Sequence, residues 1–133
     1  MKTKFLLGVF LQISFLLISM NVVAEQPKAM ITKVEIGPIN PKLVNAGKGL
    51  FNSKCVACHN MDQNKIGPAL GKVTKERKPE YIMNVILNPA KMQKIDPVYK
   101  GLLVKFKNVP MPDPNLSETQ ARSILEYLRS VAK

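Results

Sequence analysis

Two cysteines and the only histidine of the chain lie within five consecutive residues. The segment reads Cys55-Val56-Ala57-Cys58-His59, and no other cysteine or histidine occurs. Two thiols three residues apart, at the end of a helical turn, are both able to add to vinyl groups of one porphyrin, and the next imidazole can then reach the iron. The spacing therefore predicts covalent haem attachment through Cys55 and Cys58, with His59 as an iron ligand.

Three other uses of paired cysteines compete with this interpretation. A thioredoxin-type redox pair needs a βαβ context, which the sequence lacks, and does not need the adjacent histidine. A plain short-range disulfide is compatible with an exported chain. A zinc site would lack its fourth ligand, because two cysteines and one histidine supply only three.

The second axial position of the iron has five soft candidates after residue 24, all methionines, with lysine as a harder alternative. Met111 lies between Pro110 and Pro112, which fix φ and keep the loop extended, and Met/His ligation raises the reduction potential. Met111 is therefore the predicted ligand. Met83 follows a helical apolar pattern typical of core packing. The other candidates are Met92, Met61, which is too close to His59 along the chain to reach the opposite haem face, and Met30 in the predicted arm.

Residues 1–24 have the pattern of an export signal. Two lysines precede an apolar run over residues 5–18, and small residues lead to a predicted cleavage after Ala24. The pattern predicts a periplasmic protein. An uncleaved membrane anchor is the alternative, because 20 residues are about enough to span a bilayer, although the polar residues within the run make a poor span.

Length and charge limit the remaining possibilities. A chain of 133 residues predicts one domain, and a hydrophobic content of 46% is enough to build a core. The formal charge is +11, and it stays at +9 once two lysines leave with the signal. Such a charge in an exported protein favours an acidic protein partner or an anionic membrane surface over nucleic acid.

Apolar spacing predicts an all-α domain, since no alternation typical of a strand appears. Ser117 and Gln120 form a capping box that begins the last helix. Residues 25–43, rich in proline, are predicted to be a linker or a loosely docked arm, and residues 44–133 the domain. The predicted helices run from near Leu43 to Cys58, from Pro79 to a stop at Asn88-Pro89, from Pro97 onward, and from about Glu118 to Val131; residues 60–74 are predicted to be a loop.

These parts, in this order, resemble the small monohaem class I cytochromes c of bacteria over roughly residues 45–130. The resemblance implies several short helices around one haem c, held by two thioethers, with the N- and C-terminal helices crossing. Gly47 and Phe51 match one half of that crossing, and the other half is matched by Ile124, Tyr127 and Leu128. The stretch between Gly71 and Pro110 departs from the family pattern.

The resemblance also implies how the site is supported. The carbonyl of Pro68 would accept the His59 ring N–H, and the segment from Met111-Pro112 to Leu116-Ser117 looks like the ligand loop that leads into the last helix. Tyr81 or Tyr99 is a candidate for contact with a haem propionate. Six lysines either surround the exposed haem edge or merely solvate the surface: Lys54, Lys65, Lys72, Lys91, Lys94 and Lys107.

The function implied is that of a soluble carrier of single electrons between respiratory partners. We expect those partners to be acidic redox proteins, namely a terminal reductase or oxidase and a quinol-oxidising complex. We expect a monomer that binds no nucleic acid and meets the membrane only transiently or through an uncleaved N-terminus. The alternatives are a haem-bearing subunit of a respiratory complex, a haem-based sensor, or a peroxidase-like enzyme, which would need an open iron position and a distal acid/base.

Overall fold

Proline begins four of the six helices in residues 28–133, which are the residues described by this computed structural model. Proline suits the first helical position because its φ is already near the helical value and it has no N–H to leave unpaired. The helices are α1 (Pro41–Lys54), α2 (Val73–Glu76), α3 (Pro79–Leu87), α4 (Pro89–Ile95), α5 (Pro97–Lys105) and α6 (Glu118–Ser130). No strand occurs among residues 28–133, and the all-α prediction is confirmed.

Helices α1 and α6 cross at Gly47. A Cβ at this position would overlap the backbone carbonyl oxygen of Ser123 and lie 2.5 Å from its carbonyl carbon. Only glycine therefore allows the two backbones to approach this closely. One turn later Phe51 packs on Tyr127, with the ring centroids 5.3 Å apart. The crossing implied by the resemblance is present.

The core lies where α6 meets α1 and α3. The capping box of Ser117 and Gln120 begins α6 as predicted, and the helix then turns its apolar side inward. The buried side chains are Phe51 from α1, Ile82, Met83, Ile86 and Leu87 from α3, Leu116 before α6, and Ala121, Ile124, Leu125 and Leu128 from α6. Met83 is thus a core residue.

Helix α1 begins at Pro41, within the segment predicted to be a linker. The Asn40 side chain accepts hydrogen bonds from the amides of Lys42 and Leu43, at 3.0 and 3.4 Å, which satisfies free donors at the helix start. The predicted boundary at residue 43 therefore falls inside a helix. At the other end α1 stops at Lys54, and residues 55–58 form a turn rather than the predicted helical continuation.

Two short helices were not predicted. Helix α2 is a single turn that begins within the predicted loop 60–74. Pro89 ends α3, as predicted, but it also begins α4. Asn88 serves both helices, since its amide donates to the Asn84 carbonyl and its carbonyl accepts from Met92. A proline can therefore separate two helices by a single residue.

Residues 28–40 form an arm that is docked on α3. Asn84 pairs with the backbone of Ile31, because its Oδ1 accepts from the Ile31 amide at 2.8 Å and its Nδ2 donates to the Ile31 carbonyl at 2.9 Å. Glu80 accepts from the Val34 amide at 2.9 Å. These hydrogen bonds fix the arm to the helix, and the expectation of a loose attachment does not hold for these residues.

The same arm is bonded to α6 through two arginines. Glu126 is 1% exposed and forms ion pairs with Arg122 and Arg129, at 2.8 and 2.7 Å. The two guanidinium groups also donate to the carbonyls of Glu35 and Gly37, both at 2.8 Å. One buried carboxylate thus orients both of the side chains that hold the arm.

The predicted signal peptide, residues 1–24, and the first residues of the predicted arm lie outside the described residues. Within residues 28–133, none of the helices combines the length and the apolar character needed to cross a membrane.

Candidate functional site

The cysteine motif forms a turn that follows α1 directly. The amide of Cys55 donates to the Phe51 carbonyl at 2.8 Å, and the amide of His59 donates to the Cys55 carbonyl at 2.9 Å. This turn brings Cys55, Cys58 and His59 to the wall of one cavity. Both thiols are free and half-buried. Burial, followed by the neighbouring Cys58, raises the pKa of Cys55 to about 11, so the thiol is protonated at neutral pH.

The orientation of His59 is fixed by the loop that follows it. Its Nδ1 lies 2.9 Å from the carbonyl oxygen of Pro68, the hydrogen bond that the resemblance implies. A carbonyl only accepts, so Nδ1 carries the proton and Nε2 keeps a free lone pair. Burial lowers the pKa of His59, although the bond to Pro68 acts in the opposite direction. The neutral imidazole is therefore the favoured form.

Gly67 allows the loop to lie against the imidazole. A Cβ at residue 67 would lie 2.5 Å from Cε1 of His59 and 3.0 Å from Nδ1. The amide of Gly67 also donates to the Cys58 carbonyl at 2.9 Å, which returns the loop to the cysteine turn. Gly67 and Pro68 together place the backbone beside His59.

The cavity has a volume of about 430 Å³ and brings all four predicted site residues together: Cys55, Cys58, His59 and Met111 line it. Most of the rest of its wall is apolar, with large side chains from α1, α3, α5 and α6: Phe51, Ile82, Ile86, Leu102, Leu103 and Leu128. Among the described residues, none of the other candidate methionines lines it, and Met83 and Met92 are buried elsewhere, at 2% and 4% exposure. An apolar cavity with two thiols and a neutral imidazole fits a haem.

Two tyrosines of the cavity wall differ in their hydrogen bonds. The hydroxyl of Tyr81 donates to Asp96 at 3.3 Å, and burial, followed by that carboxylate, raises the pKa of Tyr81 to about 12. The hydroxyl of Tyr99 accepts from the Met111 amide at 3.3 Å, and burial raises its pKa above the usual value of 10.0. Both tyrosines are therefore protonated at neutral pH.

Sequence reasoning missed Arg77. It is the only lysine or arginine among the residues that line the cavity within the described part of the chain, and its guanidinium lies 5.8 Å from the ring centroid of Tyr81. The residue lies in the stretch that departs from the family pattern. No local signal marked it, because a lone arginine beside three lysines reads as part of a solvated surface.

The cationic surface near the cavity also carries apolar side chains. All six lysines of the predicted set are exposed. Lys65 directly precedes Ile66, which lines the cavity and is 52% exposed. The Nζ of Lys65 donates to the Val56 carbonyl at 2.6 Å. Lys107 directly follows Phe106, another lining residue, and Val109 is 49% exposed. Two of the six lysines are thus adjacent in the chain to residues that line the cavity.

Comparisons with known proteins agree with a haem site in this cavity. The family model of cytochrome c matches residues 44–132. Cytochrome c-551 of Stutzerimonas stutzeri is 28% identical over 116 residues, covering 78% of this chain and 97% of its own. The structure of cytochrome c from Rhodothermus marinus is 50% identical, with a TM-score of 0.75 over 77% of this chain and 88% of its own. An engineered form of that protein, bound to a carbene intermediate, is 48% identical with a TM-score of 0.71 and covers 77% of this chain and 88% of its own.

The chain belongs to the cytochrome c family, and its fold is that of a small class I cytochrome c. Members of the family carry a covalently attached haem c with iron and transfer electrons. The two cysteines of this chain, at positions 55 and 58, have the spacing that such attachment requires.

Proposed function

We propose that this protein is an exported carrier of single electrons, with haem attached through Cys55 and Cys58 and its iron bound by His59 and Met111. The observation that carries the proposal is the cavity, because all four side chains line it together. When bound, the haem supplies a one-electron iron couple. The chain supplies the ligands, the apolar surroundings and the surface on which a partner docks.

His59 suits the proximal position because its tautomer is already set. The bond from Nδ1 to the Pro68 carbonyl leaves Nε2 as the free nitrogen, and it makes the ring a better electron donor. Gly67 lies against the ring and limits its rotation. The imidazole therefore needs little rearrangement to bind a metal or to stay bound through a change of charge.

Met111 is proposed as the second ligand on two grounds. It lines the cavity, unlike the other described methionines, and it lies outside any helix between two prolines that restrict the backbone. A thioether favours the ferrous form, so we expect a higher potential than two nitrogen ligands would give in the same cavity.

Arg77 is proposed to neutralise an acidic edge of the haem. It brings a permanent positive charge to a largely apolar wall, and a guanidinium can bind a carboxylate through two hydrogen bonds.

The first test is a visible absorption spectrum of the holoprotein, oxidised and reduced, with and without carbon monoxide. A far-red iron–sulfur band and no response to carbon monoxide would support ligation by methionine. Met111→Leu should abolish the band and admit carbon monoxide, whereas Met92→Leu, the same change at a buried methionine away from the cavity, should leave the spectrum unaltered. A wild-type protein that lacks the band and binds carbon monoxide would contradict the proposal and favour a sensor or a peroxidase-like enzyme.

The partners are proposed to be acidic redox proteins that dock on the cationic surface that carries Lys65 and Lys107, next to residues that line the cavity. Oppositely charged surfaces speed diffusional encounter, and salt screens the attraction. Oxidation of the reduced protein by ferricyanide, an anion, should therefore slow as ionic strength rises, and oxidation by a cationic cobalt complex should become faster. Lys65→Gln and Lys107→Gln should slow only the anionic reaction, whereas Lys33→Gln on the arm should not. Rates independent of salt would refute this part of the proposal.

Export is proposed to proceed by cleavage after Ala24. Mass spectrometry of the secreted holoprotein should give a chain that begins at Glu25 and carries one haem. A full-length chain recovered from membranes would instead support a subunit attached to a respiratory complex.

A further inference from the structure

The Met111 amide is bonded to a side chain of another element. Its N–H donates to the hydroxyl of Tyr99 on α5 at 3.3 Å, and Tyr99 is 6% exposed with its ring in the cavity wall. The bond joins the segment that carries the proposed ligand to a helix that is itself packed around the site.

This amide is the only backbone donor in the short segment 110–112. Pro110 and Pro112 have no N–H, so no other backbone amide of that segment can donate a hydrogen bond. The flanking amides bond nearby along the chain: Val109 donates to the Phe106 carbonyl and Asn115 to the Asp113 side chain. The bond to Tyr99 is therefore the backbone hydrogen bond that joins the segment 110–112 to α5.

Tyr99 is itself firmly held. The Asp96 carboxylate caps the start of α5 by accepting from the Tyr99 amide at 2.7 Å, and it also accepts from the Tyr81 hydroxyl. A capped helix start fixes the backbone from which the Tyr99 ring projects. The hydroxyl consequently presents a fixed acceptor to the incoming Met111 amide.

We propose that Tyr99 is a positioning residue for Met111, with its hydroxyl fixing the ligand backbone so that added ligands displace the thioether less readily. This inference rests on the proposed function, in which Met111 binds the iron. Loss of the bond frees the Met111 backbone without removing the thioether. The state with Met111 displaced then becomes more populated relative to the ligated state.

The test is a titration of the ferric holoprotein with imidazole, comparing wild type, Tyr99→Phe and Tyr127→Phe. The net contribution of one neutral hydrogen bond corresponds to a change of about two- to tenfold in an equilibrium constant. Tyr99→Phe should therefore bind imidazole about two- to tenfold more tightly, with a weaker far-red band and a lower reduction potential. Tyr127→Phe is the matched control, because it removes a hydroxyl from a ring that packs on Phe51 and does not line the cavity. The affinity of this control for imidazole should stay within about twofold of the wild-type value.

The outcomes separate this inference from the proposal beneath it. If the wild type shows the far-red band and Met111→Leu loses it, but Tyr99→Phe binds imidazole no more tightly than Tyr127→Phe, the positioning role is wrong and the ligand assignment stands. If the wild type lacks the band, both the ligand assignment of Met111 and the positioning role of Tyr99 are wrong. A measurement without any variant is amide hydrogen exchange in the wild-type holoprotein, in which the Met111 N–H should exchange slowly. Rapid exchange would overturn the positioning role.

Discussion

Substitution of Gly47 by alanine should separate the two helices on which the domain is built. An added Cβ would overlap the Ser123 carbonyl oxygen and lie 2.5 Å from its carbon, about 1 Å inside ordinary van der Waals contact. The neighbour is backbone, so no side-chain rotation relieves the clash. Overpacking costs about 1–3 kcal/mol, and a rigid backbone contact belongs at the upper end or above.

The same substitution at Gly49 is the matched control. Gly49 also lies inside α1, and nothing is within 4 Å of a Cβ placed there. Alanine gains about 1 kcal/mol of helix propensity over glycine at either position. We therefore expect Gly49→Ala to stabilise the protein by about 0.5–1 kcal/mol and Gly47→Ala to destabilise it by about 2 kcal/mol or more, once the propensity gain is subtracted.

Urea denaturation of the holoproteins, followed by far-ultraviolet circular dichroism, measures both free energies of unfolding. A difference of about 3 kcal/mol corresponds to melting temperatures roughly 10–20 °C apart for a domain of this size. Because α1 ends at the turn that carries Cys55, Gly47→Ala should also reduce the yield of protein with haem attached. Equal stability of the two variants would refute the close approach of α1 and α6.

Three further changes probe the surroundings of the site and the arm. Gly67→Ala would place a Cβ 2.5 Å from Cε1 of His59, so we expect a shifted reduction potential and a loss of about 1–3 kcal/mol; an unchanged potential would contradict the contact. Glu126→Gln should cost about 1–3 kcal/mol in urea denaturation, below the usual value for a broken buried pair because both arginines are partly exposed, and a neutral result would remove its structural role. The pKa of Glu80 lies below its usual 4.5 because the backbone amides of residue 80 and then of Val34 donate to the carboxylate. The stabilisation of the folded state by this ionised carboxylate is therefore complete above pH 4.5 and is lost as the pH falls through the folded-state pKa. The Val34 amide shift in nuclear magnetic resonance spectra should titrate with it, and a flat response would count against the bond.

Local signals predicted the parts of the fold that depend on neighbouring residues. The capping box of Ser117 and Gln120 marked the start of α6, and the prolines at 79 and 97 marked two other helix starts. Helix α4 was missed because Pro89 was interpreted only as a helix stop, and seven residues are too few to show a clear apolar period. A proline can follow the end of one helix or begin another, and only the packing of the chain around it decides which.

Long-range contacts were beyond the reach of sequence patterns. The cysteine motif and Met111 are prominent in the sequence, and the structure brings them to one cavity. The bond from the Met111 amide to Tyr99 was not predictable, because a tyrosine at helical spacing usually packs in the core or on the surface. Arg77 directly follows α2, so its place in the cavity wall depends on where that helix ends, which the sequence did not predict.

The docked arm has a consequence for the order of folding. Its four bonded positions, at residues 31, 34, 35 and 37, meet partners 53, 46, 87 and 92 residues further along the chain. Closing such long loops is slow, and the partner side chains are in place only after α3 and α6 have packed. The arm should therefore be the last part of residues 28–133 to fold and the first to detach by local unfolding, so that it can open while the helices around the cavity stay closed.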